Sequence, residues 1–386
     1  MRRVYLEITP FFPTKESFRG PYIYDQVKAI ERNSDFEVVV VKVVSAFSNE
    51  EAVYEYQGVK VYNFKVLDIP SSILPGLFHK INLMRFERFL KERVGLLPKQ
   101  IAFIHSHVAY PAGAIGADFG RKHRIKNFIQ HHGLDVMQLS NGRLLKGKAR
   151  EWNNSFIKNR FLKSVNGTDL NIGVSQKVLD ELQKIEGFSN SNTYVLYNGV
   201  NTKKFFKKEV EKDYRFTIGC IGNFWKIKDQ ITLLKALNIL VNEKGIENIK
   251  VIFVGSGPTL EECKSYVQQK SLNNFVQFQN EIDHTELNDF YNSLDLFVLP
   301  SYYEALGCVY TEALQVGIPV IAVKGQGIEE LIKNGDRDTF LIDKSDTIQM
   351  SKLIHNFFEK NSVPTISYKL DIDSFISTFV NEIKRV

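Results

Sequence analysis

Two glutamates in the C-terminal half of the chain, Glu304 and Glu312, lie eight positions apart on either side of Gly307. A turn of small residues that leads into a helix presents backbone N–H groups and a positive dipole end, which suit a phosphate. Carboxylates repel a phosphate, so the two glutamates are better suited to hydroxyl groups. An anion site flanked by hydroxyl acceptors predicts a binding site for a nucleotide sugar, which carries both kinds of group.

The surrounding segment, PSYYEALGCVYTEALQVGIPVIAVKGQGIEEL (residues 300–331), resembles the E-x7-E signature of the retaining glycosyltransferases of family 4. The order of the Pro, Gly and apolar residues carries the resemblance, because two glutamates at this spacing are common on helices. The resemblance covers nearly the whole chain and is strongest over residues 215–342. It implies an α/β protein with the GT-B fold, in which two doubly wound Rossmann-like domains face each other across a cleft.

The resemblance also implies roles for the residues of the signature. Glu304 would contact the donor sugar near the anomeric carbon and stabilise an oxocarbenium-like transition state, as a catalytic residue. Glu312 would accept hydrogen bonds from the ribose hydroxyl groups. Gly307 would let the chain approach the phosphates closely, and Cys308 and Val309 at the helix start would offer N–H groups.

A second donor-binding segment is expected after the predicted strand Phe216–Ile221. Members of the family show a Gly-Arg-Leu…Lys-Gly pattern here, whose Arg and Lys hold the donor diphosphate. This chain has Gly222-Asn223, with Asn on the Arg position, and Lys228 on the Lys position. An ammonium group beside a departing diphosphate stabilises its developing charge. Because the Arg is missing, more of the stabilisation of the diphosphate charge would come from Lys228, from Lys226 or from backbone amides.

Three further site residues follow from the resemblance. Ile282 stands where the family places the nucleotide base. Gly20 matches a glycine loop that touches the donor phosphate, although the second glycine usual there is replaced by Pro21. His132, in the sequence His-Gly-Leu-Asp, resembles the family's His-Gly-x-Asp element. A histidine suits general-base catalysis because imidazole titrates near neutrality; a structural role for His132 is an equal alternative.

Short β-rich runs alternate with amphipathic stretches, which predicts parallel sheets with helices on both faces. The turn signal Asn198-Gly199 marks a domain boundary. We expect an acceptor-side domain at residues 1–197, a nucleotide-sugar-binding domain at 198–370, and a last helix at 371–386 that, by the resemblance, returns to the first domain. The predicted strands are Val4–Ile8, Glu37–Val43, Val59–Phe64, Ile101–His105, Asn127–Gln130, Leu170–Val174, Tyr194–Leu196, Phe216–Ile221, Lys250–Val254, Val276–Phe278, Leu294–Leu299, Pro319–Ala322 and Thr339–Leu341.

Composition excludes several classes of protein. The 386 residues favour two domains, and 44% hydrophobic with 24% charged residues is ordinary for a folded protein. No run approaches the roughly 18 apolar residues of a membrane span, and the N-terminus is typical of a buried strand. We expect a cytoplasmic protein that needs no metal and no cofactor besides its co-substrate. The three cysteines are too scattered for a zinc site or a disulfide framework, and the D-x-D strings at 336–338 and 371–373 lack the context of a metal site.

Positive charge is concentrated in the first half of the chain, with +9 over residues 1–200 against −3 over residues 201–386. Residues 74–100 and 141–164 interleave Lys and Arg with apolar side chains, which is typical of basic amphipathic helices on anionic lipid. An equal alternative is a helix packed on its own domain with a solvated basic face. No nucleic-acid module is recognisable, so nucleic acid is not an expected partner.

The resemblance therefore implies a retaining, metal-independent glycosyltransferase. It would move a sugar from a UDP- or GDP-sugar to a hydroxyl of a glycan or polyprenyl-linked acceptor in surface polysaccharide biosynthesis. Two alternatives stay open. Asn223 and the lone Gly20 also fit a non-catalytic nucleotide-sugar-binding partner, and a GT-B nucleotide-sugar epimerase would use the same donor site without forming a glycosidic bond.

Overall fold

The computed structural model describes residues 3–15, 19–67, 77–140, 148–212, 215–360 and 369–385. The chain forms two compact units, Met1–Asn198 with Ile372–Val386, and Gly199–Asp371. The divisions at 198/199 and 371/372 lie one residue from the predicted boundaries. Each unit contains one mainly parallel sheet flanked by helices, which confirms the predicted α/β class.

The first unit is built on eight strands in the order β3-β4-β2-β1-β5-β6-β7-β8. All neighbours are parallel except β3 and β4, which form an antiparallel hairpin. Central parallel strands are buried on both faces, so they are near-continuous apolar runs. The strands are β1 (Val4–Thr9), β2 (Glu37–Ser45), β3 (Val53–Tyr56), β4 (Val59–Val66), β5 (Ile101–His107), β6 (Lys126–His131), β7 (Leu170–Gly173) and β8 (Thr193–Val195).

The last helix of the chain completes the first unit. Its buried apolar residues, Ile376, Phe379, Val380 and Ile383, recur at helical spacing and pack into the core cluster that contains Tyr5. The helices of this unit are α1 (Pro21–Asn33), α2 (His79–Phe89), α3 (Ala114–His123), α4 (Leu134–Ser140), α5 (Lys148–Gly167), α6 (Gln176–Gln183) and α13 (Ile372–Arg385).

The second unit has six parallel strands in the order β11-β10-β9-β12-β13-β14. The strands are β9 (Phe216–Ile221), β10 (Ile249–Val254), β11 (Val276–Gln279), β12 (Leu296–Val298), β13 (Val320–Val323) and β14 (Leu341–Ile342). The helices are α7 (Gln230–Asn238), α8 (Leu260–Gln269), α9 (Leu287–Asn292), α10 (Cys308–Gln315), α11 (Arg337–Phe340) and α12 (Thr347–Glu359).

Each predicted strand overlaps an observed one, but two details differ. The prediction missed β3, a four-residue edge strand whose side chains are exposed or half-buried and so carry little apolar signal. The prediction was wrong at Thr339 and Phe340, which belong to α11, because consecutive helical turns from Asn334 delay the start of β14 until Leu341. Among the described helices, none combines the length and the apolar character needed to span a membrane.

Candidate active site

Lys228 and Glu304 come from two loops at the carboxyl edge of the second sheet. Lys228 ends a 3-10 turn that follows β9, and Glu304 lies in the loop that follows β12. Because β9 and β12 are adjacent and parallel, both loops emerge at the same edge. From β9 the strand order continues to β10 on one side, and from β12 it continues to β13 on the other. The gap between β9 and β12 is therefore a topological switch point, the place at which open α/β sheets bind ligands.

Hydrogen bonds to one carbonyl group fasten the two loops together. Ile227 O accepts from Tyr302 N at 3.0 Å and from Ser301 Oγ at 3.1 Å. Lys228 Nζ and Glu304 Oε1, 76 positions apart in sequence, consequently form an ion pair. The side chains are 24% and 12% exposed, so the pair is shielded from bulk water yet within reach of a ligand.

A buried glutamine fixes the backbone at Glu304. Gln326 Oε1 accepts from Glu304 N at 2.8 Å, while Gln326 Nε2 donates to Tyr302 O at 3.1 Å. The next residue, Gly327, passes so close that a Cβ on it would lie 1.9 Å from Ala305 O. The position of the carboxylate is therefore set by hydrogen bonds and close packing on both sides of its loop.

Gly307 ends this loop and begins α10 with a φ of +82°. A Cβ at this position would lie 2.6 Å from the ring of Tyr310, so the site fits only glycine. The first amide groups of a helix have no acceptor within the helix, and the positive end of its dipole lies there. Cys308 and Val309 occupy that first turn. The start of α10 can therefore attract an anion directly beside the Glu304 loop.

We expect Gly307→Ala to lower the free energy of unfolding by about 2–5 kcal/mol, since positive φ costs about 1–2 kcal/mol and overpacking about 1–3. Gly317→Ala is the matched control, because Gly317 has a φ of +85° and its nearest neighbour would be Lys207 Cδ at 3.8 Å. Gly317→Ala should lose only the stability that corresponds to the cost of a positive φ. Urea denaturation measures the free energy of unfolding of both variants. Equal losses in both variants would show that the Tyr310 ring yields and that packing does not require Gly307.

Glu312 lies on the second turn of α10 and accepts a hydrogen bond from the phenol of Tyr291, at 2.8 Å on Oε2. Tyr291 is fully buried. Burial, and then the charge of Glu312, raise the pKa of Tyr291 well above its ordinary value, so the phenol stays a donor at neutral pH. A carboxylate can accept about four hydrogen bonds, so an oriented Glu312 retains capacity for ligand hydroxyl groups.

Gly222, Asn223 and Ile282 also belong to the second unit. A Cβ on Gly222 would lie 3.8 Å from Lys228 Cδ, an ordinary contact distance, so Gly222 lies directly beside the lysine side chain. Asn223 is exposed in the same loop. Ile282 is half-buried just after β11, which β10 separates from β9. The structure therefore brings Gly222 to the ion pair, while Ile282 lies two strands away from it.

The other two predicted site residues, Gly20 and His132, lie in the first unit. Gly20 precedes α1, and the ring of Tyr22 on that helix lies 5.0 Å from the ring of His132, centroid to centroid. His132 follows β6 and is half-buried. Its Nε2 lies 2.7 Å from His107 Nδ1, within hydrogen-bond distance. These residues are near one another and form a group of their own.

Sequence reasoning did not single out Glu7, which contacts His107 Nε2 through Oε1. Glu7 interrupts the apolar run of β1 and is completely buried there. A carboxyl group in the middle of a strand buried on both faces needs a partner, and this is the signal that could have found it. Tyr291 and Gln326, which orient the two signature glutamates, gave no comparable signal because neither residue interrupts an apolar run in the sequence.

Comparison with known proteins agrees with this architecture. The model for "Glycosyltransferase Family 4" matches residues 20–204, and that for "Glycosyl transferases group 1" matches residues 201–367. The uncharacterized glycosyltransferase MJ1178 of Methanocaldococcus jannaschii is 27% identical over 307 residues, 79% of this chain and 76% of that protein. The putative teichuronic acid biosynthesis glycosyltransferase TuaC of Bacillus subtilis is 27% identical over 286 residues, 71% of this chain and 65% of TuaC.

Anabaena HepE, whose crystal structure was solved in complex with UDP, matches the fold over the full length of both chains with a TM-score of 0.74. At 16% sequence identity this likeness shows the fold alone. The two family models meet at residues 201–204, next to the division between the units, and together they span residues 20–367. The chain is thus a group 1 glycosyltransferase of family 4, with the GT-B fold.

Proposed function

We propose that this protein is a retaining, metal-independent transferase that moves a hexose or hexosamine from a UDP- or GDP-sugar to a hydroxyl group of a glycan or lipid-linked acceptor. The observation that carries the proposal is the contact of Lys228 with Glu304 beside the start of α10. This arrangement places a cation, an anion and a helix N-terminus around one edge of the sheet.

The charges suit both halves of a dissociating donor. As the sugar–phosphate bond breaks, negative charge grows on the diphosphate and positive charge on the anomeric carbon. Lys228 and the first amides of α10 would stabilise the diphosphate, and Glu304 would stabilise the sugar cation. A bound diphosphate would compete with Glu304 for the ammonium group and so release the carboxylate toward the sugar.

Retention requires that the acceptor approach from the face on which the diphosphate leaves. In our proposal the acceptor oxygen bonds to the anomeric carbon as the sugar–phosphate bond breaks, and the departing phosphate oxygen takes the acceptor proton. Burial, and then the neighbouring His107, lower the pKa of His132 well below its ordinary value, so this residue is neutral at pH 7. A neutral imidazole of low basicity favours a hydrogen-bonding role for His132 over that of general base.

The relatives support the choice of substrates to test first. HepE was solved with UDP and with UDP-glucose, and the name of TuaC places it in teichuronic acid biosynthesis. We therefore propose a UDP-sugar as the first donor to examine and a surface-polysaccharide intermediate as the acceptor. The orientation of Glu312 by Tyr291 supports recognition of the ribose hydroxyl groups.

Calorimetric titration with UDP, GDP and 2′-deoxy-UDP tests the donor site, followed by a donor panel with a polyprenyl-linked acceptor. One nucleotide should bind at least tenfold more tightly than the other, and loss of the ribose hydroxyl should weaken binding about 10- to 150-fold, the cost of a hydrogen bond to a charged group. NMR of the product should show the anomeric configuration of the donor. Inversion would refute the retaining mechanism, an altered free sugar nucleotide would identify an epimerase, and binding without turnover would identify a non-catalytic partner.

We also propose that the outer face of α2 rests on an anionic membrane. The inner face packs on the unit through Phe86, which contacts Phe64 and Phe119. The outer face exposes three apolar side chains among basic ones, as amphipathic interfacial helices do. The apolar residues are Ile81 and Met84 on α2 with Leu77 just before it, and the exposed basic residues are Lys80 and Arg88 on α2 with Lys91 just after it. Residues 68–76 and 141–147, which include parts of both predicted basic segments, lie outside the described residues.

Met84→Glu should reduce binding to phosphatidylglycerol-containing vesicles at least tenfold in a sedimentation assay. The variant removes the apolar side chain that would enter the lipid layer, and its charge adds repulsion from the anionic lipid of about 1 kcal/mol. The matched control is Ile348→Glu on α12, where Ile348 is 62% exposed and Met84 is 63% exposed. Ile348→Glu should bind as the unaltered protein does. Equal binding of the unaltered protein to neutral and anionic vesicles would contradict the proposal.

A further inference from the structure

A line of hydrogen-bonding side chains crosses the first sheet from its interior to its carboxyl edge. Glu7 on β1 contacts His107 Nε2 on β5, and His107 Nδ1 lies 2.7 Å from His132 Nε2 after β6. Glu7 and His107 are 0% exposed, whereas His132 is half-buried. His107 therefore stands between a carboxyl group with no access to solvent and a histidine near the surface.

At the inner end of the line, Glu7 is joined to the other side chains through His107. His107 is the hydrogen-bond partner of Glu7, whose second oxygen, Oε2, makes no hydrogen bond within the described part of the chain. His105 Nδ1 lies 3.8 Å from that oxygen and 2.8 Å from the Tyr5 phenol oxygen, within hydrogen-bond distance of the phenol. Tyr5 is thus the partner of His105 Nδ1, whereas His107 is the ring in contact with Glu7, so a change of protonation at Glu7 is transmitted through His107.

Proton counting gives this line two states. A neutral imidazole has one N–H donor and one acceptor nitrogen. If Glu7 is ionised, His107 donates to it from Nε2 and accepts at Nδ1 from His132 Nε2–H, which leaves His132 Nδ1 as an acceptor. If Glu7 is protonated, it donates to His107 Nε2, His107 Nδ1–H donates to His132 Nε2, and His132 Nδ1 carries the hydrogen.

We propose that Glu7 is a positioning residue that acts through His107 to set whether the outer ring nitrogen of His132 accepts or donates a hydrogen bond. The inference rests on the proposed function for its effect on transfer, because His132 is there the residue that would hydrogen-bond a sugar or acceptor. The tautomer of His132 itself can be measured without any activity.

The titration of these groups places the change between the two states near neutral pH. Burial raises the pKa of Glu7 to about 7, and the nearby His105 ring opposes that rise only in part. Burial lowers the pKa of His107 to about 3 and that of His132 well below its ordinary value, so both rings stay neutral while Glu7 titrates. The contribution of protonated Glu7 to the free energy of unfolding is therefore fully present below the ordinary carboxyl pKa of 4.5 and is lost as the pH rises through about 7.

Three other ionisable groups near this line, Tyr5, His105 and Asp135, have pKa values shifted away from the range between pH 5.5 and 8.5. Burial raises the pKa of Tyr5 far above that range and lowers the pKa of His105 to about 4. At the outer end of the line, burial alone would raise the pKa of Asp135, but the charge of the adjacent His131 and its hydrogen bond lower that pKa below its ordinary value. Neutral groups complete the surroundings: Tyr22 and Gln26 from α1, Gln130 from β6 and Phe379 from α13.

Nitrogen NMR of the full chain labelled with ¹⁵N-histidine tests the proposal, with His132→Gln identifying the signals of His132. Between pH 5.5 and 8.5 the protonated nitrogen of His132 should change from Nδ1 to Nε2, with a midpoint near pH 7. In Glu7→Gln the tautomer should no longer change with pH. Glu87→Gln, which alters a carboxylate paired with Lys122 and His123, is the matched control and should behave as the unaltered protein does.

A second variant covers the case in which Glu7→Gln does not fold. His107→Gln leaves Glu7 in place but interrupts the line, and it too should remove the change at His132. A tautomer that does not respond to pH in the unaltered protein, or that still responds in Glu7→Gln, would overturn the proposal. So would a stoichiometric divalent metal on Glu7, His105 and His107, whose ligand atoms lie within 4.8 Å of one another, since it would occupy the lone pairs.

Kinetics then connects the tautomer to transfer. If His132 must accept a hydrogen bond from a hydroxyl group, kcat/KM should rise about tenfold between pH 6 and 8 in the unaltered protein and stay flat in Glu7→Gln. A flat profile in both proteins would refute the link to catalysis. Absence of turnover in every variant would count against the proposed function, while the NMR result would still decide the role of Glu7.

Discussion

Lys228→Ala is expected to lower kcat/KM for sugar transfer by about 10²–10³-fold, the usual effect of removing a group that stabilises developing negative charge. The lysine is held beside Glu304 by the two hydrogen bonds to Ile227 O, so no reorganisation is needed when the diphosphate departs. Part of the loss should appear as weaker binding of UDP or GDP, because a diphosphate is already charged in the ground state. Steady-state transfer rates and nucleotide calorimetry measure the two parts.

The control for this variant is Lys235→Ala on α7, which removes an exposed lysine of the same unit without touching the site. It should keep full activity and an unchanged melting temperature. Lys226→Ala decides whether the neighbouring lysine replaces the arginine that the family has at the Asn223 position. Full activity in Lys228→Ala together with a large loss in Lys226→Ala would move the catalytic charge to Lys226.

Glu304→Gln is expected to reduce kcat by about 10²–10⁴-fold without weakening the affinity for free UDP or GDP, because the charge that competes with the diphosphate for Lys228 is gone. The glutamine keeps the shape of the side chain but removes the negative charge that would stabilise the sugar cation. Because Gln326 holds Glu304 through its backbone N–H, the loop should keep its conformation in the variant. A loss confined to kcat separates a role in the transition state from a role in binding.

Glu261→Gln provides the matched control, since Glu261 is an exposed glutamate on α8 that pairs with Lys264. Its rate and stability should equal those of the unaltered protein. A Glu304→Gln variant that transfers sugar at more than about a tenth of the normal rate would exclude an essential electrostatic role, because such roles are worth at least two orders of magnitude.

The sequence predicted the fold class and most strands because their signals are local. The run EVVVVKVVS of β2 and the run IKVIFV of β10 are apolar enough to be buried on both faces, and each lies between turn or helix residues. The signature around Glu304 and Glu312 was equally local, since eight positions include the glycine turn and the helix that carries the second glutamate. Predictions of this kind depend on neighbours in sequence.

The contacts that build the site could not be predicted in the same way. Lys228 meets Glu304 because β12 pairs with β9, although β10 and β11 come between them in the chain. Glu7 meets His107 because β5 pairs with β1 across about a hundred residues. Strand order depends on the packing of the whole unit, so a pattern of residue types identifies candidates without showing which of them touch.

The position of α13 has a consequence for how the protein folds as it is made. The core of the first unit includes Phe379 and Ile383, so this unit contains chain synthesised before and after the whole second unit. The second unit can close while the ribosome is still translating, whereas the first must wait with an uncovered apolar groove beside α1. Newly made protein should therefore depend on chaperones chiefly through its N-terminal half, and a nonsense codon shortly before residue 372 should yield an aggregating product.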